Sequence, residues 1–383
     1  MKKETKGLVS VIILSYNNYR YIYEALDSFL SQDYSRLELI INNDGSSDFD
    51  ESAIKKYLQI KRSKNLEKFL IINNKRNLGT VKSLNNAIRK STGEFVIFFA
   101  ADDAFNDSKV ITKFITAFNK LPVTANIVTA QLAMYDLDLY KRFGLFIKNK
   151  DIQVLKKKDP EELFSVLCTR CIIAAASTCY RKSLFKKHGY FDERYKLIED
   201  WSSALRFSRL GEVYHFENFI AFKHRDGGIS HGNIHGEKKL NQKYDNDVVQ
   251  IMKYEILPYI SRLDDKRKKS FLTKYKDLTW LYNYNFKFRM NLNKRDRRHF
   301  VVKNWHFIIR FLCLDLKDYV LQQPEGKKLK VLLFSVLILT LPMPDKIFDE
   351  FAMLLIFSLS VIVIYQIFII FSRHISKLVD FIL

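Results

Sequence analysis

The chain has 383 residues, of which 48% are hydrophobic, and 63 Lys and Arg against 42 Asp and Glu give a formal net charge of +21. This hydrophobic content is enough for a large core and excludes an intrinsically disordered chain. The positive excess indicates a partner with negative charge, such as nucleotide phosphates, nucleic acid or an anionic membrane surface.

The first ninety residues alternate between strand and helix patterns. A β-branched run at 8–14 predicts a strand, and apolar residues at helical spacing predict a helix over 21–32. Further strands are predicted at 37–41 and 69–72, followed by a helix over 80–90. This alternation predicts an α/β fold with a Rossmann-like, mostly parallel sheet flanked by helices.

A fourth apolar run, from Phe95 to Ala101, ends on Asp102 and Asp103. Such a run is typical of a strand buried on both faces, and ligands bind beyond the carboxyl ends of parallel strands. Adjacent carboxylates raise each other's pKa unless a cation lies beside them, and their hard oxygens suit Mg²⁺ or Mn²⁺. The run therefore predicts a divalent metal site, with capping of the next helix as the alternative.

The four cysteines, Cys168, Cys171, Cys179 and Cys313, are too few and too unevenly placed for a disulfide framework. They are expected to be reduced thiols in a cytosolic compartment. Cys168 and Cys171 form a CxxC, but neither a second CxxC nor a spaced His pair follows. Buried thiols are therefore favoured over a zinc site.

After residue 236 the chain becomes basic and aromatic. Residues 251–330 alone contain 20 Lys and Arg against 8 Asp and Glu. The segment 237–326 is predicted to be helical, either lying against anionic headgroups or presenting solvated faces.

The last segment, 327–383, is predicted to associate with a membrane. Residues 351–372 carry no formal charge and, at about 1.5 Å per residue, match a hydrocarbon core of about 30 Å. Residues 331–344 are shorter and suit a re-entrant or interfacial helix. No signal-peptide pattern opens the chain, so both ends of this hairpin and the domain 1–236 are expected on the cytoplasmic side. The alternative is an amphipathic pair packed on a soluble domain.

Several runs taken together resemble family 2 glycosyltransferases with the GT-A fold. In order and spacing they are Val9 to Asn17, Leu37 to Asp48, Arg76 to Gly79, Gly93 to Phe95, and Asp102 with Asp103. The resemblance covers roughly residues 8–235. It implies a catalytic domain over 1–236 that transfers a sugar from a nucleotide sugar with inversion.

The resemblance also implies roles for residues at the strand ends. Ser15 and Tyr16 would line the base pocket, and Asp44 would accept the N3–H of a uracil. Arg76 would contact the nucleotide.

For the metal, the resemblance implies that Asp103 binds the Mn²⁺ or Mg²⁺ that bridges the diphosphate. Asp102 would hold the ribose or a metal-bound water, and would be a second candidate ligand. Many relatives carry a further Asp two residues earlier, where this chain has Ala100.

The run from Leu197 to Trp201 resembles the family's later acidic motif. Within it Asp200 is the candidate catalytic base and Glu199 would orient the acceptor or support Asp200. The alternative is an ordinary acidic helix N-terminus.

A loop that begins at His224 follows the acidic motif. His224, Arg225 and His231 are candidate contacts for phosphate or metal, His224 being the candidate metal ligand. An ordinary Asp-Gly-Gly turn is an equal alternative for this loop.

These observations and the resemblance predict a membrane-attached, inverting glycosyltransferase that moves one sugar from a nucleotide sugar, expected to be UDP-linked, to a glycan or lipid-linked acceptor in surface polysaccharide biosynthesis. A QxxRW run, which processive members carry, is not found in the sequence. The alternatives are a membrane-tethered nucleic-acid-binding protein, although no recognised nucleic-acid module is found, and a nucleotide-binding protein without catalysis.

Overall fold

The computed structural model describes residues 4–61, 63–225, 233–234, 237–238 and 242–283. Nine strands of this part form one sheet, with helices on both faces. The sheet strands are β1 (Thr5–Ser15), β2 (Leu37–Asn43), β3 (Leu66–Asn73), β4 (Gly93–Ala100), β5 (Ala104–Phe105), β6 (Ile127–Tyr135), β7 (Arg142–Leu145), β8 (Thr178–Arg181) and β9 (Tyr214–Arg225). A separate pair is formed by β10 (Asn233–Ile234) and β11 (Glu237–Lys238).

Ten α-helices accompany these strands in the described ranges. They are α1 (Ile22–Leu30), α2 (Glu51–Lys61), α3 (Thr80–Lys90), α4 (Val110–Asn119), α5 (Asn149–Lys156), α6 (Pro160–Leu167), α7 (Ser183–His188), α8 (Glu199–Arg209), α9 (Gln242–Ile251) and α10 (Asp265–Asn283). One-turn 3₁₀ helices lie at Tyr19–Tyr21 and Ala175–Ser177, a π-helical turn covers Met252–Ile256, and a further 3₁₀ segment covers Leu257–Arg262.

The first four strands form the predicted parallel half of the sheet. Their spatial order is β3-β2-β1-β4, and each neighbouring pair is parallel. The predicted strands at 8–14, 37–41 and 69–72, and the helix over 80–90, are confirmed within a few residues. Because all four strands are parallel, their carboxyl ends meet at one edge.

The other half of the sheet departs from the prediction of a mostly parallel sheet. Beyond β4 the order continues β8-β6-β9-β5, and β8 runs antiparallel to both β4 and β6. Only β6 and β9 are parallel in this half, so the sheet as a whole is mixed. β8 has four residues and β5 has two, and runs this short carry no periodic signal from which a direction can be predicted.

The sheet separates two apolar layers, because alternate residues of a strand point to opposite faces. Ile12 packs into one layer, whereas Val11 and Ile13 pack into the other. Helices α3, α6 and α8 cover the first face, and α1, α2 and α4 cover the second. Full burial of each aliphatic side chain contributes about 1.5–3 kcal/mol, so the two layers fix the sheet between its helices.

The described part of the basic segment packs on the first of these layers. Ile251, Met252, Ile256 and Phe271 are buried in the same apolar cluster as Trp201 of α8. Every described residue falls within the compact unit Met1–Met290. The domain boundary at 236 stays a prediction.

In the described ranges, no helix combines the length and apolar composition that a bilayer crossing requires. The predicted membrane segments 331–344 and 351–372 lie outside the described residues, as do His231 and Cys313.

Candidate active site

The parallel strands bring the first three polar strand ends side by side. In the register of the sheet Ser15 lies opposite Asn43, and Asn43 lies opposite Asn73. Leu14 lies opposite Ala100, the last residue of β4. The loops that follow these residues therefore share one edge, which we call the donor edge.

Asp44, directly after β2, is a buried acceptor at the donor edge. Its Oδ1 accepts hydrogen bonds from Leu78 N (2.9 Å), Asn74 Nδ2 (3.1 Å) and Ser83 Oγ (2.5 Å), and its Oδ2 accepts one from Gly79 N (2.9 Å). The carboxylate thus ties the end of β2 to the loop after β3 and to the start of α3. Its role with a uracil stays a prediction.

Gly45 allows the loops after β2 and β3 to touch. Its φ is +84°, in the region that favours glycine, and a Cβ there would lie 2.5 Å from the carbonyl carbon of Arg76. Arg76 is exposed and makes no hydrogen bond or ion pair with any described residue. The contact therefore places the backbone of Arg76, a predicted nucleotide contact with an exposed side chain, against the loop that follows Asp44.

The loop after β1 is ordered by Asn18, which the sequence reasoning missed. Asn18 Oδ1 accepts from Ser15 Oγ and from Tyr16 N, both at 3.0 Å. Its Nδ2 donates to Asp102 Oδ1 at 3.1 Å. One amide therefore joins the predicted base-pocket residues to the predicted metal-binding pair.

Asp102 and Asp103 follow β4, and β9 lies next to them. The antiparallel pairing of Ala104 with Lys223 brings Asp103 beside His224, and Asp103 Oδ1 lies 2.8 Å from His224 Nδ1. Burial, followed by the charge of Asp103, raises the pKa of Asp102. Of the sequence-predicted metal candidates, Asp103 and His224 are therefore in direct contact, and Asp102 is the neighbour of Asp103 in the chain.

Arg225 stabilises the turn that carries Asp102 and Asp103. It is buried, its Nε donates to the carbonyl of Asp102 (3.0 Å), and its two terminal nitrogens bind the carbonyl of Leu137 and Glu24 Oε2. The guanidinium also lies 4.1 Å from the ring centre of Tyr21. These contacts show Arg225 holding the turn at Asp102, whereas the sequence suggested a phosphate contact.

The carboxylate oxygens of Asp102 and Asp103 fit a divalent cation. Asp102 and Asp103 each use Oδ1 in the contacts above, and their Oδ2 atoms accept no hydrogen bond from the residues described. In the same part of the chain, no three His, Cys, Asp or Glu side chains are grouped to hold a metal. A magnesium-like ion commonly binds one or two carboxylates and completes its shell with substrate phosphates and water, which this pair permits.

Glu199 and Asp200 form the first turn of α8. Asp200 Oδ1 accepts from Trp201 N at 2.6 Å. Burial raises the pKa of Asp200 to about 6, and burial together with the charge of Asp200 raises the pKa of Glu199 to about 8. Two carboxyl groups with separated, elevated pKa values are suited to proton transfer near neutral pH.

The segment just before Glu199 and Asp200, which with these two residues we call the acidic turn, lies against the donor edge. A Cβ on Gly79, which has a φ of +90°, would lie 2.9 Å from the carbonyl oxygen of Lys196. The same oxygen accepts from Val81 N at 3.3 Å. Since Gly79 also donates to Asp44, the segment before Glu199 contacts the loop that Asp44 fixes.

The CxxC cysteines lie beside the acidic turn as thiols. Cys168, Cys171 and Cys179 are unpaired, and burial raises the pKa of all three, with the charge of Asp200 adding to the effect at Cys171. A raised pKa disfavours the thiolate that binds zinc, which agrees with the interpretation as buried thiols.

The comparisons with known proteins agree with this geometry. Residues 10–189 match the family described as Glycosyl transferase family 2. An uncharacterized glycosyltransferase of Rickettsia typhi is 32% identical over 226 residues, which are 59% of this chain and 66% of that protein. Residues 10–189 therefore belong to glycosyl transferase family 2.

The resemblance found in the sequence is therefore confirmed, and the chain contains a family 2 glycosyltransferase domain. A putative teichuronic acid biosynthesis glycosyltransferase of Bacillus subtilis, TuaG, is 31% identical over 105 residues, covering 27% of this chain and 40% of TuaG. The structure of residues 1–349 of S. aureus TarS is similar with a TM-score of 0.47 and 17% identity, covering 79% of this chain and 80% of that one. The match to the Rickettsia protein spans just under two thirds of that relative.

Replacing Asp44 by Asn tests its structural role in the family 2 domain. The amide would place an NH₂ group against groups that donate to the carboxylate, so we expect a loss of about 1–3 kcal/mol in the free energy of unfolding and faster hydrogen exchange over residues 74–83. Urea denaturation and hydrogen-exchange mass spectrometry measure both. Asp48→Asn, an exposed site on the same loop, is the control; equal stability of the two variants would contradict the prediction.

Proposed function

We propose that the chain is an inverting glycosyltransferase that moves a single sugar from a nucleotide sugar, UDP-linked, to a glycan or lipid-linked acceptor. The observation that carries this proposal is the presence of two separate carboxylate pairs. Asp102 and Asp103 lie at the donor edge, and Glu199 and Asp200 lie at the start of α8 beside it. One pair can serve the leaving group and the other the attacking group.

Asp200 acts as the base in this proposal. Its carboxylate takes the proton of the acceptor hydroxyl while that oxygen attacks the anomeric carbon from the face opposite the nucleotide. The Trp201 N–H contact orients one carboxylate oxygen. Burial and the charge of Asp200 also raise the pKa of Glu199, which favours a protonated Glu199 that can donate a hydrogen bond to the acceptor or to Asp200.

The donor edge holds the nucleotide and supports its departure. In this proposal Ser15 and Tyr16, ordered by Asn18, line the base pocket, and Arg76, on the neighbouring loop, contacts the nucleotide with its positive charge. When bound by Asp103 and Asp102, a Mn²⁺ or Mg²⁺ ion would neutralise charge on the diphosphate leaving group.

The acceptor class is proposed from the sequence and from one relative. TuaG, whose name assigns it to teichuronic acid biosynthesis, supports a surface polysaccharide as the product. The basic composition of residues 251–330 suits an anionic, lipid-linked acceptor at a membrane. We place the reaction at the cytoplasmic face, as predicted from the sequence.

The metal assignment is tested by replacing Asp103. Wild-type protein with UDP is expected to bind Mn²⁺, measured by electron paramagnetic resonance, and Asp103→Asn to weaken that binding by about 10-fold or more because it removes a charged ligand. Asp107→Asn, which removes a carboxylate paired with Lys113 in the loop after β5, is the control. Unchanged Mn²⁺ affinity in Asp103→Asn would exclude this site.

The base assignment is tested by isosteric variants and by pH. Asp200→Asn should lower kcat for sugar transfer by about 10²–10⁴-fold with the dissociation constant of UDP unchanged. Because a base must be ionised, the wild-type rate should rise with pH through about 6, where Asp200 loses its proton. Glu199→Gln, which resembles the protonated acid, should keep most of the rate at pH 7. A flat pH profile, or an active Asp200→Asn protein, would contradict the assignment.

A further inference from the structure

Asp247, on α9, binds the turn that precedes the acidic helix. It is fully buried, and its Oδ2 accepts from the backbone N–H groups of Lys196 (2.7 Å), Leu197 (2.7 Å) and Ile198 (3.3 Å). Ile198 immediately precedes α8 and has no side-chain cap of its own. Three successive amides therefore converge on one carboxylate oxygen just before Glu199.

The other side of this turn is equally constrained. The carbonyl oxygen of Lys196 accepts from Val81 N, and it lies against Gly79. The turn is thus held between the N-terminus of α3 and Asp247. A shift of Asp247 would move the start of α8 relative to the donor edge.

The end of α8 is held by the same part of the chain. Glu255, in the π-helical turn that follows α9, accepts from Arg209 Nη2 (2.8 Å), the last residue of α8, and from Tyr195 Oη (3.1 Å). Both ends of the acidic helix are therefore fastened to residues 247–255, which lie beyond the family-matched residues 10–189.

We propose that Asp247 is a positioning residue for sugar transfer, which sets the place of Asp200 and Glu199 through the turn at 196–198. The proposal rests on the proposed function of Asp200 as the base. Asp247 touches no reacting atom; its carboxylate holds the turn directly before α8 and thereby aligns the helix with the donor edge.

The test separates positioning from folding. In the full chain, Asp247→Ala should lower kcat on the order of 10²-fold, the cost of a misplacement of about 1 Å, while the dissociation constant of UDP stays unchanged. Asp247→Asn keeps one acceptor oxygen and should recover most of the rate. Asp245→Ala, on the same helix and with no hydrogen bond to a described residue, should behave as wild type.

Hydrogen exchange of the amides at 196–198 gives a readout that does not depend on activity. These amides should lose protection in Asp247→Ala and keep it in Asp245→Ala. Unchanged kcat, or equal losses of UDP binding and kcat, would overturn the positioning role. If the amides lose protection in Asp247→Ala but the wild-type protein transfers no sugar, the proposed function is overturned and only the structural contact remains.

A second, independent observation concerns the hairpin formed by β6 and β7. Three large apolar side chains are exposed within seven residues: Leu137 (52%), Tyr140 (88%) and Phe143 (56%). Large hydrophobic side chains exposed singly are ordinary, whereas a cluster of them marks an interaction site. We call these three residues the hairpin patch.

The hairpin patch belongs to an ordered turn. Asp136 Oδ1 accepts from Tyr140 N (2.9 Å) and Lys141 N (3.1 Å). Phe143 occupies a bulge between the paired residues at 142 and 144, and bulges redirect side chains. The patch is also joined to the donor edge, because the Leu137 carbonyl accepts from Arg225.

Exposed basic side chains lie in and after the hairpin patch along the chain, and the exposed Asp138 lies within it. Lys141, Arg142, Lys148 and Lys150 are all exposed, and none forms an ion pair with a residue in the described ranges. Aromatic tips flanked by Lys and Arg are the composition that binds the headgroup region of an anionic bilayer. The combination of exposed aromatic side chains with basic neighbours therefore favours an anionic lipid surface over a neutral protein surface.

We infer that the hairpin patch inserts into the surface of an anionic lipid bilayer and holds the donor edge near it. In the full chain, Tyr140→Ser with Phe143→Ser should lower the partition coefficient onto phosphatidylglycerol vesicles by about tenfold. Val123→Ser, an equally exposed apolar site elsewhere, should leave it unchanged, and phosphatidylcholine vesicles should bind less than anionic ones.

A tryptophan reporter identifies the occupant directly. Phe143→Trp should gain fluorescence that brominated phosphatidylglycerol quenches, whereas Val123→Trp should not be quenched. Vesicle binding unaffected by the double variant, with no quenching at 143, would overturn the inference. A reporter at 143 already shielded without vesicles would show that protein, a second copy or another segment of this chain, covers the patch, and would also overturn it.

Discussion

Both halves of the active site depend on hydrogen bonds that backbone N–H groups donate to buried carboxylates. Asp44 binds the amides of Leu78 and Gly79, and Asp247 binds those of the turn at 196–198. A carboxylate has four acceptor sites and no donor, so it can order several amides that no regular helix or strand would satisfy. Removing such an acceptor leaves buried donors unpaired, at about 1–3 kcal/mol each.

The site contains two pairs of like-charged carboxylates, one at the donor edge and one at the start of α8. Asp102 with Asp103 and Glu199 with Asp200 are both energetically unfavourable when ionised and buried, which is why the pKa values of Asp102, Glu199 and Asp200 are raised. The Arg225 guanidinium donates its hydrogen bonds to the carbonyl oxygens of Asp102 and Leu137 and to Glu24. Under the proposed function, a divalent cation would neutralise the donor edge and a proton would neutralise the acidic turn.

The sequence predicts the donor edge well because its signals are local. The four parallel strands are long apolar runs that end on polar residues, and parallel pairing brings those ends together without further information. The roles of Asn18 and Arg225 could not be predicted, because Asn18 reaches Asp102 across 84 positions and Arg225 reaches Glu24 across 201. The prediction of a mostly parallel sheet was wrong for the mixed half for the same reason, since the direction of β8 depends on pairing with a distant strand.

Asp247 shows the limit of such reasoning most clearly. Its segment has the ordinary pattern of an amphipathic helix, and neither the acidic motif nor the basic composition that follows indicates a partner 50 residues earlier. The four parallel strands pair with one another before residue 105, but the turn at Asp102 is also held by His224 and Arg225 of β9. Helix α8 is fixed near both ends by Asp247 and Glu255. The part of the site that we assign to the donor and the part that we assign to the acceptor are therefore both completed by residues beyond the family-matched range 10–189. The acceptor side depends on a further segment, 247–255, which can therefore alter the position of α8.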